Sequence, residues 1–202
     1  MTERGMIFNA EMVRAVLDGR KTQTRRAVKF PIRDKDIGCE LSGNELAGEV
    51  SAGNYRNSPF GAVGDRLWVR ETWARYNIDQ NSHDMAYRAT TPDDWPKEGR
   101  WRPSIHMPRW ASRITLEITD VRVERLNSIS ENDARAEGAG SAVWFAGKGV
   151  PEEQWTSLGE HGAYRASHIN SFATLWESIY GADSWQANPW VWVIEFKRVE
   201  VE

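Results

Sequence analysis

The residues best suited to chemistry stand in one short segment, residues 19–26, here named the basic turn. A lysine and a threonine lie three positions apart in it, among three arginines. Like charges and partial burial lower the pKa of a lysine, so Lys21 could accept a proton. The hydroxyl of Thr24 would then be the nucleophile that this base activates. The alternative is a solvated basic surface whose cations complement the dipole of a preceding helix.

Other catalytic signatures are absent from the sequence. The four histidines show no metal-binding spacing such as HExxH, and a single cysteine cannot form a zinc knuckle. No phosphate loop, GxGxxG motif or GxSxG elbow occurs. We therefore expect neither a metal nor a cofactor, and nucleotide-dependent, redox and ordinary serine-hydrolase chemistry are disfavoured.

The composition is typical of a globular protein. A chain of 202 residues, of which 40% are hydrophobic and 27% charged, can bury one substantial core. The net charge of −3 argues against a whole surface built to hold nucleic-acid phosphates, although it allows local basic patches. We find no membrane span, no secretory signal and no partner for Cys39 in a disulfide. We expect one cytoplasmic domain over residues 1–202, without a membrane partner.

A helix followed by an extended segment should position the basic turn. Asn9 is a favourable N-cap, and the apolar residues after it follow a helical period that Gly19 would end. Residues 21–28 are rich in threonine and arginine and favour an extended chain. Lys21 and Thr24 would face opposite sides of a regular strand, so their cooperation requires a turn or a bulge.

Elsewhere the patterns predict more strands than helices. The clearest strand is at residues 112–124, where isoleucine and leucine alternate with polar residues. Stretches without a clear period predict long loops at about 31–63, 77–108 and 139–165. Irregular connections favour an α+β protein with a small mixed β-barrel over a doubly wound sheet. Further strands are predicted at residues 66–70, 85–88 and 190–199, and helices at residues 130–137 and 167–180.

The basic turn fits the G-x-K-x-x-x-x-R signature of the ASCH domains, a branch of the PUA-like β-barrel superfamily. Three other segments resemble that family: the turn at residues 64–65, the passage at residues 126–131 and the stretch at residues 193–196. The long loops resemble those of larger ASCH proteins from bacteria and their prophages. The resemblance implies a PUA-like barrel with flanking helices and loop insertions.

Some small bacterial ASCH proteins are amidohydrolases that remove the acetyl group from N4-acetylcytidine with a lysine, a threonine and a glutamate. The lysine and the threonine match Lys21 and Thr24, and counting from residue 126 through the predicted helix places the glutamate at Glu137. The resemblance therefore implies a metal-independent N4-acylcytidine amidohydrolase that acts on a small nucleoside. Without the resemblance, Glu137 would be interpreted as an exposed residue at the end of a helix.

The same resemblance suggests alternative functions, and an amidohydrolase mechanism suggests further site residues. An RNA-binding module is the main alternative, because PUA-like barrels commonly bind RNA and the arginines of the basic turn would contact phosphate. A ribonuclease using the same lysine and a phage structural role are further alternatives. For an amidohydrolase, Arg26 or the backbone N–H groups of the basic turn could stabilise the oxyanion. Trp68 and Trp73 could stack on the base and Arg70 or Glu71 could bind its polar edge, although Trp68 could equally be a core residue.

Overall fold

The computed structural model describes residues 1–75, 84–96, 98–139 and 168–199. Within these ranges the chain forms nine strands and four α-helices. The helices are α1 (Ala10–Leu17), α2 (Gly43–Ser51), α3 (Glu131–Ala136) and α4 (His168–Tyr180). The strands are β1 (Glu3–Ile7), β2 (Gln23–Ala27), β3 (Ile32–Arg33), β4 (Glu40–Leu41), β5 (Arg66–Arg70), β6 (Trp73–Arg75), β7 (Met85–Tyr87), β8 (Thr115–Arg125) and β9 (Trp190–Val199).

Five of the strands form one mixed sheet in the order β1-β5-β8-β9-β2. β1 runs parallel to β5, and the other neighbours are antiparallel. The pairs β3-β4 and β6-β7 form two small separate sheets. The α+β class is therefore confirmed, while the edge strands β1 and β2 do not pair with each other in the described ranges, so the sheet is not closed into a barrel. None of the described helices is long and apolar enough to cross a membrane.

The central pair β8-β9 shows how the sequence keeps apolar side chains in the core. Ile118 pairs with Phe196, and the register then shifts so that Asp120, rather than Thr119, pairs with the next residue of β9. This bulge changes which face each following residue occupies. Val121 is consequently buried although it lies at an odd spacing from Ile118. Both predicted strands are present: β9 has the predicted bounds, whereas β8 begins three residues later than predicted and ends one residue later.

Helix α1 delivers the chain to the basic turn as predicted. The Asn9 side chain accepts a hydrogen bond from the Met12 amide at the N-cap. Gly19 follows the C-cap with φ +73°, a conformation that favours glycine. The Lys21 amide then donates to the Ala15 carbonyl, 2.9 Å away, so the chain folds back over the last turn of the helix.

The prediction of a loop at residues 31–63 is wrong, because the segment contains β3, β4 and helix α2. Helix α2 begins with a capping box in which Ser42 and Glu45 bond each other's backbone amides. Its apolar face has few members, chiefly Leu46 and Val50, so the helical period was too weak to detect. The described part of the region predicted as a loop at 77–108 contains β7, which was predicted as a short strand and pairs with β6, and one 3-10 turn at Ser104–His106. The loop predicted at 139–165 lies outside the described residues after Ala139.

Replacing Gly43 by alanine should destabilise the protein, because a Cβ there would lie 2.1 Å from Nε1 of the Trp190 indole. We expect a loss of about 1–3 kcal/mol in the free energy of unfolding, measured by urea denaturation. Gly48→Ala in the same helix is the matched control. A Cβ added at Gly48 would meet no atom within 4 Å, so this variant should gain up to about 1 kcal/mol. Equal stability of the two variants would contradict the packing argument.

Candidate active site

The end of helix α3 packs directly on the basic turn. Lys21 and Glu137 form an isolated antiparallel bridge, and the Thr22 amide donates to the Ala136 carbonyl at 2.9 Å. Gly138 follows with φ +78°, and a Cβ there would lie 3.0 Å from the Cβ of Lys21. The capping box of Ser130 and Asp133 predicted for α3 is present. The backbone therefore brings together two candidate residues that are 116 positions apart.

The Lys21 side chain is fully enclosed, with 0% of its surface exposed. Its Nζ donates to the Gln23 carbonyl at 2.7 Å, to the Glu137 carbonyl at 2.9 Å and to Oε2 of Glu137 at 2.9 Å. Burial lowers the pKa of Lys21, the Glu137 carboxylate opposes that shift, and the neighbouring Arg26 and Arg25 reinforce it. The expected direction of the shift is present, and burial, more than like charge, is its cause.

Glu137 is shared between two buried cations. While Oε2 accepts from Lys21, Oε1 accepts from Nη1 of Arg25 at 3.1 Å. The Arg25 side chain has no exposed surface, and its Nη2 donates to Glu124 at 2.7 Å. The interpretations of Glu137 as an exposed residue and of Lys21 and Arg25 as a solvated surface are therefore wrong. Helix α3 and strand β2 instead enclose one Lys21–Glu137–Arg25 triad.

A second arginine extends this triad along the sheet. Arg122 on β8 donates to Asp133 at 3.0 Å and to the side-chain oxygen of Gln23 at 3.2 Å. Asp133 also lies 3.6 Å from Arg25, so the two arginines share it. The sequence patterns did not predict these residues as part of a site. The sequence signal that could have found them is the spacing of two between Gln23 and Arg25, which puts both side chains on one face of β2. That face contacts Arg122 and Glu124 of β8 rather than water.

Thr24 is buried in β2, where it pairs with Ile194 of β9. Its hydroxyl makes no hydrogen bond to any residue that the structure describes. The Lys21 Nζ bonds instead to the Gln23 carbonyl, the group that is covalently joined to the Thr24 amide. The structure thus places the amine beside the Thr24 backbone, and it leaves the proposed base and nucleophile without a direct hydrogen bond.

Phe8 lies under the positive charges of the basic turn. Its ring centroid is 5.7 Å from the Lys21 Nζ and 5.5 Å from the Arg26 guanidinium carbon. Arg26 donates to the Ile7 carbonyl at 2.7 Å and forms no ion pair with the described residues. The Phe8 amide bonds to the Arg70 carbonyl at 3.1 Å, which connects the basic turn to the end of β5.

The four candidate base-binding residues occupy different environments. Trp68 is half-buried, and the Arg70 guanidinium lies over its ring at 5.3 Å. Glu71 is buried and accepts two hydrogen bonds from Arg113, at 2.9 and 3.0 Å. Burial raises the pKa of Glu71, and Arg113 opposes the shift. Trp73 is buried in a small cluster with Met107, so Trp68 and Arg70 are the more accessible members of the set.

A cavity of about 640 Å³ is lined by residues of the basic turn, of α3 and of the start of α4. The side chains of Lys21, Thr24 and Glu137 do not line it. No group of three or more His, Cys, Asp or Glu side chains is placed to hold a metal ion in the described ranges. The lining residues are Gly19, Arg20, Thr22, Asn132, Arg135, Ala136, Gly138, Ala139 and His168.

Comparison with known proteins gives two structural similarities. No protein-family model matches the chain, and no similar curated protein was found. An ASCH domain from Lactobacillus crispatus is similar at 14% identity and a TM-score of 0.37, over 98% of this chain and 79% of that one. A DUF984 protein from Enterococcus faecalis is similar at 12% identity and a TM-score of 0.40, over 100% of this chain and 82% of that one. Neither similarity assigns an activity to this chain.

The buried Lys21 should make the free energy of unfolding depend on pH. Because its pKa is lowered in the folded protein, the unfolded chain retains the lysine proton to higher pH. The free energy of unfolding therefore rises with pH in the window below the ordinary lysine value. We expect wild type to gain stability relative to Lys21→Met as the pH rises toward the ordinary lysine pKa of about 10.4 in urea titrations, since only wild type carries this group. A constant or shrinking difference would contradict the lowered pKa.

Proposed function

We propose that the protein is an amidohydrolase that removes the acyl group from N4-acylated cytosine derivatives, with Lys21, Thr24 and Glu137 as its catalytic residues. The observation that carries this proposal is the buried contact between Lys21 and Glu137, next to a threonine whose hydroxyl is not committed to another described residue. Two of the three residue types of the ASCH amidohydrolases are therefore in contact, and Thr24 lies in the strand that follows Lys21.

The first step requires Lys21 as a neutral amine. Burial favours that form, and Arg25 continues to neutralise the Glu137 carboxylate when Lys21 gives up its charge. The amine takes the proton of the Thr24 hydroxyl, whose oxygen attacks the amide carbonyl and forms a tetrahedral intermediate. Arg26, which has no described ion-pair partner, is the cation that can stabilise the oxyanion.

The second step moves the same proton to the leaving group. Lys21, now an ammonium, passes a proton across the 2.9 Å contact to Glu137, which delivers it to the N4 nitrogen of cytosine. The carbon–nitrogen bond breaks, and the acyl group remains as an ester on Thr24. Water then attacks the ester, its proton returns through Glu137 and Lys21 to the Thr24 oxygen, and the carboxylic acid leaves.

Ultraviolet absorbance distinguishes N4-acetylcytidine from cytidine and provides the direct test. Wild type should convert N4-acetylcytidine, or an analogue with a bulkier acyl group, to cytidine. Lys21→Ala should lose activity by at least about a hundredfold, because the proton acceptor is removed. Lys197→Ala, which removes an exposed lysine paired with Glu117, is the control and should retain activity. Absence of turnover by wild type on both substrates would refute the proposed function.

A further inference from the structure

The Lys21–Glu137–Arg25 triad contains more positive than negative charge. Lys21 and Arg25 contribute two positive charges and Glu137 one negative charge, and no side chain of the three is more than 2% exposed. An enclosed charge is costly unless an opposite charge compensates it. Arginine keeps its proton in proteins, whereas a buried lysine can lose its own. The charge balance around the triad therefore decides how readily Lys21 gives up its proton.

Glu124, near the end of β8, supplies the missing negative charge. Its Oε1 accepts a hydrogen bond from Nη2 of Arg25 at 2.7 Å, while Nη1 of the same guanidinium donates to Glu137 at 3.1 Å. The ring centroid of Phe172 on α4 lies 5.9 Å from the guanidinium carbon and limits its movement. Arg25 is thus held between two carboxylates from different elements. Because 22% of the Glu124 side chain is exposed, this residue connects the enclosed triad to solvent.

The other carboxylates near Arg25 are farther from it or are paired with Arg122. Asp133 lies 3.6 Å from Arg25, whereas its second oxygen accepts a hydrogen bond from Arg122 at 3.0 Å. Arg122 also lies 3.4 Å from Glu124, a longer contact than the one between Glu124 and Arg25. The remaining charged groups around the triad are Arg26 on β2, Asp120 and Arg122 on β8, Asp133 on α3 and Glu195 on β9.

We propose that Glu124 is a positioning residue for Lys21 that acts through Arg25: it balances the charge of the triad and so retains the proton on Lys21 in the resting protein. Without this carboxylate, loss of the Lys21 proton becomes the way to restore neutrality, because Arg25 cannot lose its own. The pKa of Lys21, which burial already lowers, should then fall further. The inference rests on the proposed function in one respect, namely that Glu124 then sets the pH above which the amine can accept the Thr24 proton.

Urea titrations test this inference without any substrate. Glu124→Gln removes the charge, and the glutamine carbonyl can still accept a hydrogen bond from Arg25. The difference in the free energy of unfolding between Glu124→Gln and Glu124→Gln/Lys21→Met then reports on Lys21. A lysine whose pKa is lowered by folding adds stability as the pH rises from its folded to its unfolded pKa. We expect that rise to begin about one pH unit lower in this pair of variants than in wild type and Lys21→Met.

Two control variants separate the charge of Glu124 from its shape and from the general field of β8. Glu124→Asp keeps the carboxylate, so the rise should begin near the wild-type pH. Asp120→Asn removes a carboxylate of the same strand that pairs with Arg122, and it should not move the rise. An unmoved rise in Glu124→Gln would overturn the proposal, as would an equal movement in either control variant.

Turnover of N4-acetylcytidine gives a separate result. Because Lys21 must be neutral to accept the Thr24 proton, the acid limb of the kcat/KM profile should move to lower pH in Glu124→Gln by the same amount as the rise in stability. If the rise moves and the limb does not, Glu124 retains its role and Lys21 is not the general base. If wild type has no turnover, the proposed function fails, and the urea titrations still support or overturn the role of Glu124.

Discussion

Turnover of N4-acetylcytidine should fall by at least about a thousandfold when Thr24 is replaced by valine, because the proposed reaction then has no nucleophile. Valine keeps the branched shape of threonine and removes only the hydroxyl. That hydroxyl has no described hydrogen-bond partner, so its loss leaves no polar group unpaired in the interior. We therefore expect a folded, inactive protein, with turnover measured by ultraviolet absorbance and folding by urea denaturation.

Two further variants separate the hydroxyl from the position that carries it. Thr24→Ser retains a hydroxyl on the same strand and should recover a substantial part of the lost activity. Thr119→Ala removes an exposed threonine at the bulge in β8 and should turn over substrate as wild type does. Full activity in Thr24→Val would remove Thr24 as the nucleophile, and a water molecule activated by Lys21 would replace it in the mechanism.

The elements predicted well are those whose signals are local. Asn9 caps α1, Gly19 ends it, and the capping box of Ser130 and Asp133 starts α3, all through contacts between residues two to four positions apart. Such contacts depend on residue type and spacing alone, so the sequence is sufficient to find them. Helix α2 also begins with a capping box, but its apolar face is narrow. The surrounding sequence contains many Gly, Ser and Asn residues, so no helical period of apolar residues was recognisable there.

The candidate site was only partly predictable because its contacts are distant in sequence. Arg25 is separated by 99 residues from Glu124 and by 112 from Glu137. A strand that reads Gln-Thr-Arg-Arg predicts a solvated polar face, since charged residues are seldom buried. The opposite result follows from the carboxylates of β8 and α3, which compensate Arg25 in the interior. The cluster of like charges in the basic turn pointed to Lys21, and only the resemblance to the ASCH amidohydrolases pointed to Glu137.

Removing the carboxylate of the Lys21–Glu137–Arg25 triad should cost more stability than any surface change. In Glu137→Ala, Lys21 loses its ion-pair partner and Arg25 loses one of its two hydrogen-bonded carboxylates while both stay buried. Breaking a buried ion pair on one side typically costs about 3–5 kcal/mol in the free energy of unfolding. Glu117→Ala, which breaks the exposed pair with Lys197, is the matched control and should cost less than about 1 kcal/mol.

The double variant Lys21→Met/Glu137→Gln distinguishes a structural role of the triad from a catalytic one. Removing both charges of the pair eliminates the uncompensated lysine, while the glutamine carbonyl can still accept from Arg25. Stability should therefore recover by several kcal/mol relative to Glu137→Ala, measured by urea denaturation. Turnover of N4-acetylcytidine should remain absent, because no residue is left to take the Thr24 proton or to deliver it to N4. A stable double variant that retains activity would show that the triad serves the fold alone.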